Sequence, residues 1–376
     1  MSIVSKVLVI GGGIAGMCAA IELRKSGIGV DLIEVDPQWR VYGAGISISG
    51  ATLRAFKQIG VIDEIMAQGA CTDGMNICLA DGTVINQLPT RRLAGPDIPS
   101  AGGIMRPVLA RILSRATIAG GAQVRLGVDF ESIMQQGETV CVRFSDGTVG
   151  EYDLVIGADG VHSKTRAQIF PSAPAPAYTG QGSWRAVVPR PSSVQCPSIF
   201  MGRTTKAGLN PVSSDEMYLF VLQSLPENEF IDPIDWPQRL KSLLGEFGGV
   251  VGDIRDSLNE QSRIVYRPLQ KLLMSAPWHA GRVVLIGDAV HATTPHLASG
   301  AGISVEDAIV LAEELALAPD VASALTRFVE RRFERCRTVV ENSVRLGDIE
   351  NQGGLAAKDQ HAALMMQTML TLQEPI

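Results

Sequence analysis

The sequence lacks the patterns that identify several classes of protein. Its 376 residues carry a net charge of −6 and no long basic run. Nucleic acid is not an expected partner, because phosphate binding needs clustered lysine and arginine. No apolar stretch is long enough to span a bilayer. The apolar run near the N-terminus is cut off by Gly11, so we expect no signal peptide.

The cysteine and histidine patterns predict no metal site. The six cysteines form no C-x-x-C pair, so we expect reduced, buried thiols in a cytosolic protein. His291 and His296 lie five residues apart, which does not suit two ligands on one helix. No carboxylate and cysteine set is expected to join them.

Hydrophobic periodicity predicts a parallel sheet interrupted by a second sheet. Apolar residues make up 46% of the chain, enough for a sizeable core. Residues 5–10 and 30–35 have the character of buried parallel strands, with a helix between them over 14–26. From about residue 178 to 274, alternating runs predict an antiparallel sheet with one helix near 236–246. Elsewhere we predict an irregular loop at 37–50, helices at 51–69, 107–119, 301–317 and 320–347, a hairpin at 75–88, and strands at 123–128, 139–144, 152–156 and 281–287.

A glycine motif follows the first predicted strand. In Gly11-x-Gly13-x-x-Gly16, the glycines permit a tight turn, close approach of the backbone to a pyrophosphate, and packing of the helix on the strand. The helix N-terminus offers unpaired N–H groups to phosphates. Glu34, at the end of the next strand, would accept hydrogen bonds from ribose hydroxyls and repel a 2′-phosphate. The motif therefore predicts an FAD or NAD site rather than an NADP site.

Two further motifs follow later strands. They are Gly157-Ala158-Asp159-Gly160-Val161-His162-Ser163-x-x-Arg166, and Gly287-Asp288-Ala289-Val290-His291 extended by Pro295, Gly300, Gly302 and Asp307. Gly300 and Gly302 open a predicted helix, whose N-terminus can stabilise negative charge beside a planar ring. From the residues alone, the segment 295–302 could equally be an ordinary loop, and Asp288 a helix cap.

Together the three motifs resemble the flavoprotein monooxygenase family whose prototype is para-hydroxybenzoate hydroxylase. The resemblance runs from residue 6 to about 347, and the segment 183–189 is similar to hydroxylases of salicylate, hydroxynicotinate and alkylquinolone type. It implies an α/β fold in which a Rossmann-like FAD-binding domain contains an inserted antiparallel-sheet substrate domain and ends in C-terminal helices. The implied division is an FAD-binding domain in residues 1–70, 101–177 and 275–347, a substrate domain in 71–100 and 178–274, and a helical tail in 348–376. Val290 and Ser299 depart from the commonest family pattern. These two departures could alter the access of substrate to the space beside the flavin.

The family's cofactor roles carry over to matching residues. The resemblance implies that Asp159 and Gly160 lie near the FAD pyrophosphate and that Asp288 binds the ribityl or pyrophosphate region. It also implies that residues 295–302 lie beside the isoalloxazine ring. The expected FAD-binding residues are Gly11, Gly13, Ile14, Ala15, Gly16, Glu34, Val35, Arg40, Ala44, Gly45, Ile46, Arg106, Asp159, Gly160, Gly287, Asp288, Pro295, Gly300, Ala301 and Gly302.

The implied reaction is that of a single-component monooxygenase. Since the chain has one dinucleotide fingerprint, NADH or NADPH is expected to dock transiently and reduce bound FAD. O2 would then form a C4a-hydroperoxide that hydroxylates a small aromatic or heteroaromatic substrate. The alternatives are epoxidation, Baeyer–Villiger insertion, N-oxidation or a reduction without oxygen. From another class of protein, the alternative is a non-catalytic flavin-binding sensor.

The inserted sheet supplies substrate-pocket candidates, but no catalytic base is identified. Arg185 could pair with a substrate carboxylate or phenolate, or form a surface ion pair. Trp184 and Tyr218 could be pocket walls or core aromatics. The full candidate set is Trp184, Arg185, Leu209, Pro211, Tyr218 and Phe220.

The C-terminal tail has apolar residues at helical spacing, namely Ala362, Met365, Met366 and Met369. Packing against the body or a second subunit is favoured over membrane contact, because Lys358 is the one nearby cation. A monomer or homodimer is expected.

Overall fold

The parallel sheet expected from the N-terminal motif lies at the centre of the fold. The structure, a computed structural model, describes residues 3–41, 43–203, 205–352 and 355–376. In chain order the strands are β1 (Lys6–Ile10), β2 (Gly29–Glu34), β3 (Gly45–Ser49), β4 (Ala70–Thr72), β5 (Met75–Leu79), β6 (Val84–Leu88), β7 (Ala101–Met105), β8 (Gln123–Leu126), β9 (Phe130–Gln136), β10 (Thr139–Phe144), β11 (Val149–Tyr152), β12 (Leu154–Gly157), β13 (Ala177–Pro189), β14 (Ser198–Met201), β15 (Lys206–Pro211), β16 (Glu216–Ser224), β17 (Arg263–Lys271), β18 (His279–Ala280) and β19 (Val283–Leu285). The helices are α1 (Ile14–Lys25), α2 (Gly50–Ile59), α3 (Ile62–Gln68), α4 (Arg106–Ala119), α5 (Lys164–Ile169), α6 (Trp236–Leu243), α7 (Gly249–Ser257), α8 (Asp288–His291), α9 (Gly300–Leu317), α10 (Val321–Gln352) and α11 (Leu355–Gln373), with 3-10 turns at Pro233–Asp235 and Pro295–Leu297.

The six-stranded sheet has the order β18-β19-β12-β1-β2-β8 and is parallel except for β18. Its strands are apolar throughout because both faces are covered. Val7 and Val9 pack into the core that holds α1 and α9. Leu8 and Ile10 pack against the three-stranded sheet β11-β10-β9. Since β1, β12 and β19 are parallel neighbours, the three motifs that follow them meet at one edge of the sheet.

A seven-stranded sheet has the order β17-β13-β16-β15-β14-β5-β6 and is antiparallel except where β14 pairs with β5. The residues of α6 and α7 pack on one of its faces in a second core. The domain division stays a prediction. Because α10 runs unbroken to Gln352, the boundary expected at residue 348 falls inside a helix.

Two local predictions near the N-terminal motif were wrong. The segment 37–50, expected to be irregular, contains β3, which pairs antiparallel with β7. The single helix expected over 51–69 is divided into α2 and α3. Gly60 has φ +88°, and its N–H donates to Phe56 O, so it ends α2 as a left-handed cap.

Further differences come from single side chains and missed strands. The strand expected over 152–156 is divided at Asp153, whose carboxylate accepts hydrogen bonds from the N–H groups of Ser5 and Lys6. The turn at Asp146-Gly147 connects β10 to β11, and the parallel strand β12 begins after Asp153. The segments β7, β9, β17 and α7 were not predicted.

The tail is helical and packs on the body. Met365 and Met369 contact the core that holds α1 and α9, while Met366 is 64% exposed and Ala362 is also exposed. The C-terminal tail therefore packs against the body of the protein, as favoured from the sequence. In the described parts of the chain, no helix combines the length and hydropathy needed to cross a membrane.

Candidate flavin and substrate site

The turn after β1 has the geometry of a phosphate-binding loop. Gly11 has φ +105°, a conformation suited to glycine. A Cβ at Gly16 would lie 2.0 Å from the Gly11 carbonyl oxygen, so glycine lets α1 start directly against the strand. At Gly13, the N-cap of α1, a Cβ would meet no described atom within 4 Å, and no side chain described here caps the helix. The first turn of α1, which begins with Ile14 and Ala15, can therefore donate N–H groups to a phosphate.

Glu34 lies beside this turn, as the sequence predicted for a ribose-binding residue. Its Oε2 accepts a hydrogen bond from the N–H of Gly12 at 2.8 Å, and its Oε1 accepts one from the N–H of Asp36 at 2.8 Å. Each carboxylate oxygen has a further lone pair. A ribose hydroxyl can therefore bind Glu34 while the carboxylate still holds the turn.

Sequence reasoning missed Trp39 in this region. The Trp39 Nε1 donates to the carbonyl oxygen of Gly12 at 2.8 Å, and Trp39 has φ +50°. A lone tryptophan in a loop has no periodicity that would have signalled this contact. The expected contacts Val35 and Arg40 are both exposed; Val35 is 68% exposed, and Arg40 pairs with Asp36 at 3.0 Å.

The second motif forms a loop that Asp159 holds in shape. Its Oδ1 accepts from the Ser163 hydroxyl at 2.5 Å, and its Oδ2 accepts from the N–H of the second residue of α5 at 2.8 Å. Gly160 has φ +79°, which completes the turn. The buried Arg166 then donates to Ala289 O at 2.7 Å, so a guanidinium links the second motif to the third.

The third motif places Asp288 at the first position of α8. Gly287, with φ +62°, is the N-cap residue of α8. No side chain in the described chain caps this helix, so Asp288 is not a helix cap. The Asp288 side chain is solvent-accessible but lies among protein atoms. The surrounding protein atoms limit the solvation of its carboxylate and so raise the pKa of this group, although His291 and Arg106 act in the opposite direction. No hydrogen bond within the described residues engages this carboxylate.

Behind Asp288 lies a buried ion network that the sequence did not predict. His291 Nε2 is 2.5 Å from Asp307 Oδ2, and Arg332 Nε donates to Asp307 Oδ1 at 2.8 Å. Burial alone would raise the pKa of Asp307, but His291 and Arg332 hold it lowered at about 2. Burial alone would lower the pKa of His291, but Asp307 raises it well above its usual value.

This network corrects one expectation. Cys336 Sγ lies 3.8 Å from Asp307 Oδ1, so a carboxylate and a cysteine do join His291. The same carboxylate already binds the guanidinium of Arg332 and the N–H of Gly287 at 2.9 Å. A neighbouring buried cation opposes a metal ion, so we interpret the set as an ion network, and the absence of a metal stays a prediction.

The loop expected beside the flavin ring leads into α9. Pro295 begins a 3-10 turn, and α9 starts at Gly300, slightly earlier than predicted. A Cβ at Gly302 would lie 2.2 Å from Thr52 Oγ1, so glycine allows this helix to approach α2 closely. Among the residues the structure describes, no side chain caps α9, so its first turn, with Ala301, offers free N–H groups and a positive dipole end.

The seven-stranded sheet separates the pocket candidates onto two faces. Trp184 and Leu209 are fully buried in the core that α6 and α7 cover, and Trp184 donates to Gln223 Oε1 at 2.8 Å. Arg185, Tyr218 and Phe220 alternate with core positions and lie on the other face, called the inner face below. Trp184 and Leu209 are thus core residues, which is the core alternative stated for Trp184 and a correction of the expectation that Leu209 lines the pocket.

The inner face packs toward the expected flavin loop. Ala44 and Tyr218 share a small apolar cluster, and a Cβ at Gly45 would lie 2.4 Å from the Tyr218 ring. The Tyr218 hydroxyl is 2.6 Å from Ser47 Oγ. Ile46 pairs with β7 in the same small sheet. Tyr218 therefore forms a wall behind residues 44–46.

Pro211 and Phe220 occupy different places on this sheet. The Pro211 carbonyl oxygen abuts Gly103, where a Cβ would be 2.3 Å away, so Pro211 is buried at the junction with β7. The Phe220 ring lies over Gly208, where a Cβ would meet it at 2.1 Å. Phe220 is half-buried and is the aromatic candidate on the inner face that solvent reaches most easily.

Arg106 has three polar or charged side chains within electrostatic range. Arg185, Tyr218 and Asp288 all interact electrostatically with Arg106. The pKa of Arg106 is lowered to about 10, mainly because its guanidinium is buried and to a lesser extent because Arg185 carries a like charge. The Arg185 Nε is buried without a hydrogen-bond partner, and no ion pair of Arg185 occurs in the described chain. A second guanidinium, a phenol and a carboxylate thus act electrostatically on Arg106.

These features define a dinucleotide-binding oxidoreductase of the flavoprotein monooxygenase type. The turn at Gly13 is open to a pyrophosphate, Glu34 can bind a ribose, and the free N–H groups at the start of α9 can stabilise negative charge on a flavin. The site therefore fits FAD.

Comparisons with known proteins agree with this conclusion. Residues 4–343 match the family model described as FAD binding domain. The chain is 33% identical to 2-heptyl-3-hydroxy-4(1H)-quinolone synthase of Pseudomonas aeruginosa, covering 90% of this chain and 87% of that protein. It is 32% identical to aurachin C monooxygenase/isomerase of Stigmatella aurantiaca, covering 91% and 89%. The crystal structure of Klebsiella pneumoniae HpxO with FAD and uric acid is similar with a TM-score of 0.83, 25% identity and coverage of 98% and 95%.

The chain belongs to the FAD-binding domain family and is a flavin monooxygenase. The predictions of FAD as cofactor and of a para-hydroxybenzoate hydroxylase type of fold are confirmed.

Proposed function

We propose that this monooxygenase hydroxylates a small heteroaromatic ring that bears an ionisable oxygen, at the expense of NADH or NADPH and O2. In the balanced reaction, a ring C–H becomes C–OH, the nicotinamide is oxidised, and the second oxygen atom leaves as water. FAD, when bound, supplies the redox chemistry and the activation of O2. Two relatives support this substrate class: 2-heptyl-3-hydroxy-4(1H)-quinolone synthase and the FAD-dependent urate hydroxylase of Klebsiella oxytoca.

The environment of Arg185 is the main support for this proposal. Its guanidinium is half-buried on the inner face and lacks an acidic partner among the described residues. A partly buried cation without a counter-ion is incompletely solvated, and an anionic ligand relieves the resulting cost. Charge-assisted hydrogen bonds from a guanidinium to an oxyanion are short and strong. Arg185 would therefore hold the ionised oxygen of the substrate.

The effect of Arg185 on reactivity follows from its charge. A cation near a phenol or hydroxypyridine lowers the pKa of the ring oxygen, because it stabilises the anion. The anionic ring has greater electron density at its carbon atoms and is the better nucleophile toward an electrophilic oxygen. Arg185 stabilises the anion but does not accept the proton, which is released to solvent.

The rest of the inner face suits an apolar ring. Phe220 and Val187 are half-buried there and pack against the cluster that contains Tyr218. An aromatic ring stacks or packs edge-to-face on Phe220. A substrate with one polar edge and an apolar body matches this pattern better than one that is polar on all sides.

The test is oxidation of NADH or NADPH by the FAD-loaded protein in air, with product masses measured. The panel contains 2-alkyl-4-quinolones, hydroxypyridine carboxylates and urate. We expect one class to stimulate oxidation and to yield a product heavier by one oxygen atom. An Arg185→Met variant should raise the KM for that substrate about 10- to 100-fold, the loss expected for a charged hydrogen bond.

Arg263→Met is the matched control, because Arg263 lies on the adjacent strand β17 and pairs with Glu216 at an exposed position. Its KM should match that of the unaltered protein. An unchanged KM in Arg185→Met, with normal FAD content, would refute the role of Arg185. A product with an N–O bond, an epoxide or an inserted ester oxygen would select the alternative reactions. No stimulation by any compound would refute the proposed substrate class.

A further inference from the structure

A chain of ionic contacts extends from the third motif to the C-terminal helix. The first links join Gly287 N–H to Asp307, and Asp307 to Arg332. Arg332 Nη1 is 2.9 Å from Glu306 Oε2. Arg335 then donates from Nε and Nη2 to the two oxygens of Glu306, both at 2.8 Å. Each link uses a charge on α9 or α10, so these two helices carry the connection.

The chain ends on the last turn of α11. Arg335 donates to the carbonyl oxygens of Thr371 and Leu372, each at 3.1 Å. Arg54 of α2 donates to the carbonyl oxygens of Gln373 at 2.7 Å and Glu374 at 2.8 Å. The last carbonyl groups of a helix lack partners within it and carry partial negative charge. Two guanidiniums therefore hold the end of α11 to the body.

Burial makes this chain of contacts sensitive to the loss of any member. Glu306, Asp307 and Arg332 are at most 2% exposed. A buried charge that loses its partner cannot be solvated in place, so neighbouring side chains must move or water must enter. Loss of the Arg335 contact would leave Glu306 with Arg332 alone. The guanidinium of Arg332 would then be drawn toward Glu306 and away from Asp307.

We infer that α11 braces the Gly287–Asp288 turn, so that docking of its last turn and retention of FAD are coupled, with Glu306 and Arg335 as positioning residues. The inference rests on FAD as the cofactor and on the proposed contact of FAD with Asp288, and it does not depend on the substrate. Coupling between two sites is reciprocal. FAD must therefore tighten the docking of α11 by the same factor by which docking tightens FAD.

The test uses the full chain and FAD alone. The FAD dissociation constant is measured by flavin fluorescence for Arg335→Met and Arg54→Met, and amide hydrogen exchange is followed over residues 367–373. We expect both variants to weaken FAD binding at least about five-fold, the lower end of typical coupling. FAD should slow the exchange of these amides in the unaltered protein.

Arg337→Met is the matched control, because Arg337 lies two residues from Arg335 on α10 but pairs with Glu334 and Glu341 at the surface. It should leave the FAD dissociation constant unchanged. Arg54→Met decides the result if Arg335→Met does not fold, because Arg54 reaches the same turn without bonding to Glu306. Faster exchange of the tail with an unchanged FAD dissociation constant would overturn the inference. A merely structural role would lower the melting temperature of the apoprotein and give that same unchanged constant.

Discussion

Replacing Asp307 by asparagine would remove the charge at the centre of the buried network while keeping the shape of the side chain. In the unaltered protein this carboxylate is fully buried and binds His291, Arg332 and the N–H of Gly287. Asparagine retains one acceptor oxygen and cannot compensate two cations. Removing one partner of a buried ion pair costs about 3–5 kcal/mol.

This cost converts into a change of melting temperature. An unfolding entropy of about 2.1 cal/mol/K per residue gives roughly 0.8 kcal/mol/K for the whole chain, so the Asp307→Asn variant should melt about 4–6 °C lower. The variant should also bind FAD more weakly, because the turn at Gly287 loses an acceptor. Thermal melting followed by circular dichroism, with and without FAD, checks both effects. Glu330→Gln, an exposed change on α10, is the control and should not shift the melting temperature.

The pH dependence gives a second measure of the same contact. The pKa of His291 is raised in the folded protein relative to 6.5. The stabilisation from its charge is therefore fully present below about pH 6.5 and is lost as the pH rises through the folded-state pKa. The unaltered protein should lose melting temperature over that range, and Asp307→Asn should lose less. Equal melting temperatures and equal pH profiles for the two proteins would refute the assignment.

Three further changes test the cofactor and substrate sites. Asp288→Ala should weaken FAD binding while the protein stays folded, because the carboxylate makes no structural hydrogen bond within the described chain; full FAD retention on gel filtration would contradict this. Gly16→Ala should abolish FAD binding or folding, because its Cβ would lie 2.0 Å from a backbone oxygen; an FAD-bound variant with a normal flavin absorption spectrum would contradict it. Tyr218→Phe should lower stability by about 0.5–1.5 kcal/mol through loss of its hydrogen bond with Ser47, as measured by urea denaturation, and an unchanged midpoint would show that this bond contributes nothing.

The features that the sequence predicted well depend on local chemistry. The glycine motif, the strands on either side of it and Glu34 follow from short-range rules on turns, helix N-termini and apolar runs. The order of the three motifs also sufficed to predict the family. Parallel neighbouring strands then bring the motifs to one edge, which is a property of the topology.

The features that the sequence did not predict depend on contacts between distant segments. Asp307, Arg332 and Cys336 meet His291 only after α9 and α10 pack together, and each looks like an ordinary helical residue in the sequence. The two faces of β13 were also not assigned from the pattern. Trp184 and Arg185 are adjacent in sequence, but the strand places them on opposite faces, and the helices of the insertion decide which face is the core.

As a monooxygenase of the proposed type, this chain transfers one atom of O2 to an aromatic ring. The most direct test is a reaction under 18O2 in ordinary water, with FAD-loaded protein, NADH or NADPH, and the stimulating compound from the panel. We expect a hydroxylated product that carries one 18O atom. A product whose new oxygen is unlabelled, and therefore comes from water, or oxidation of the nicotinamide without any oxygenated product, would contradict it.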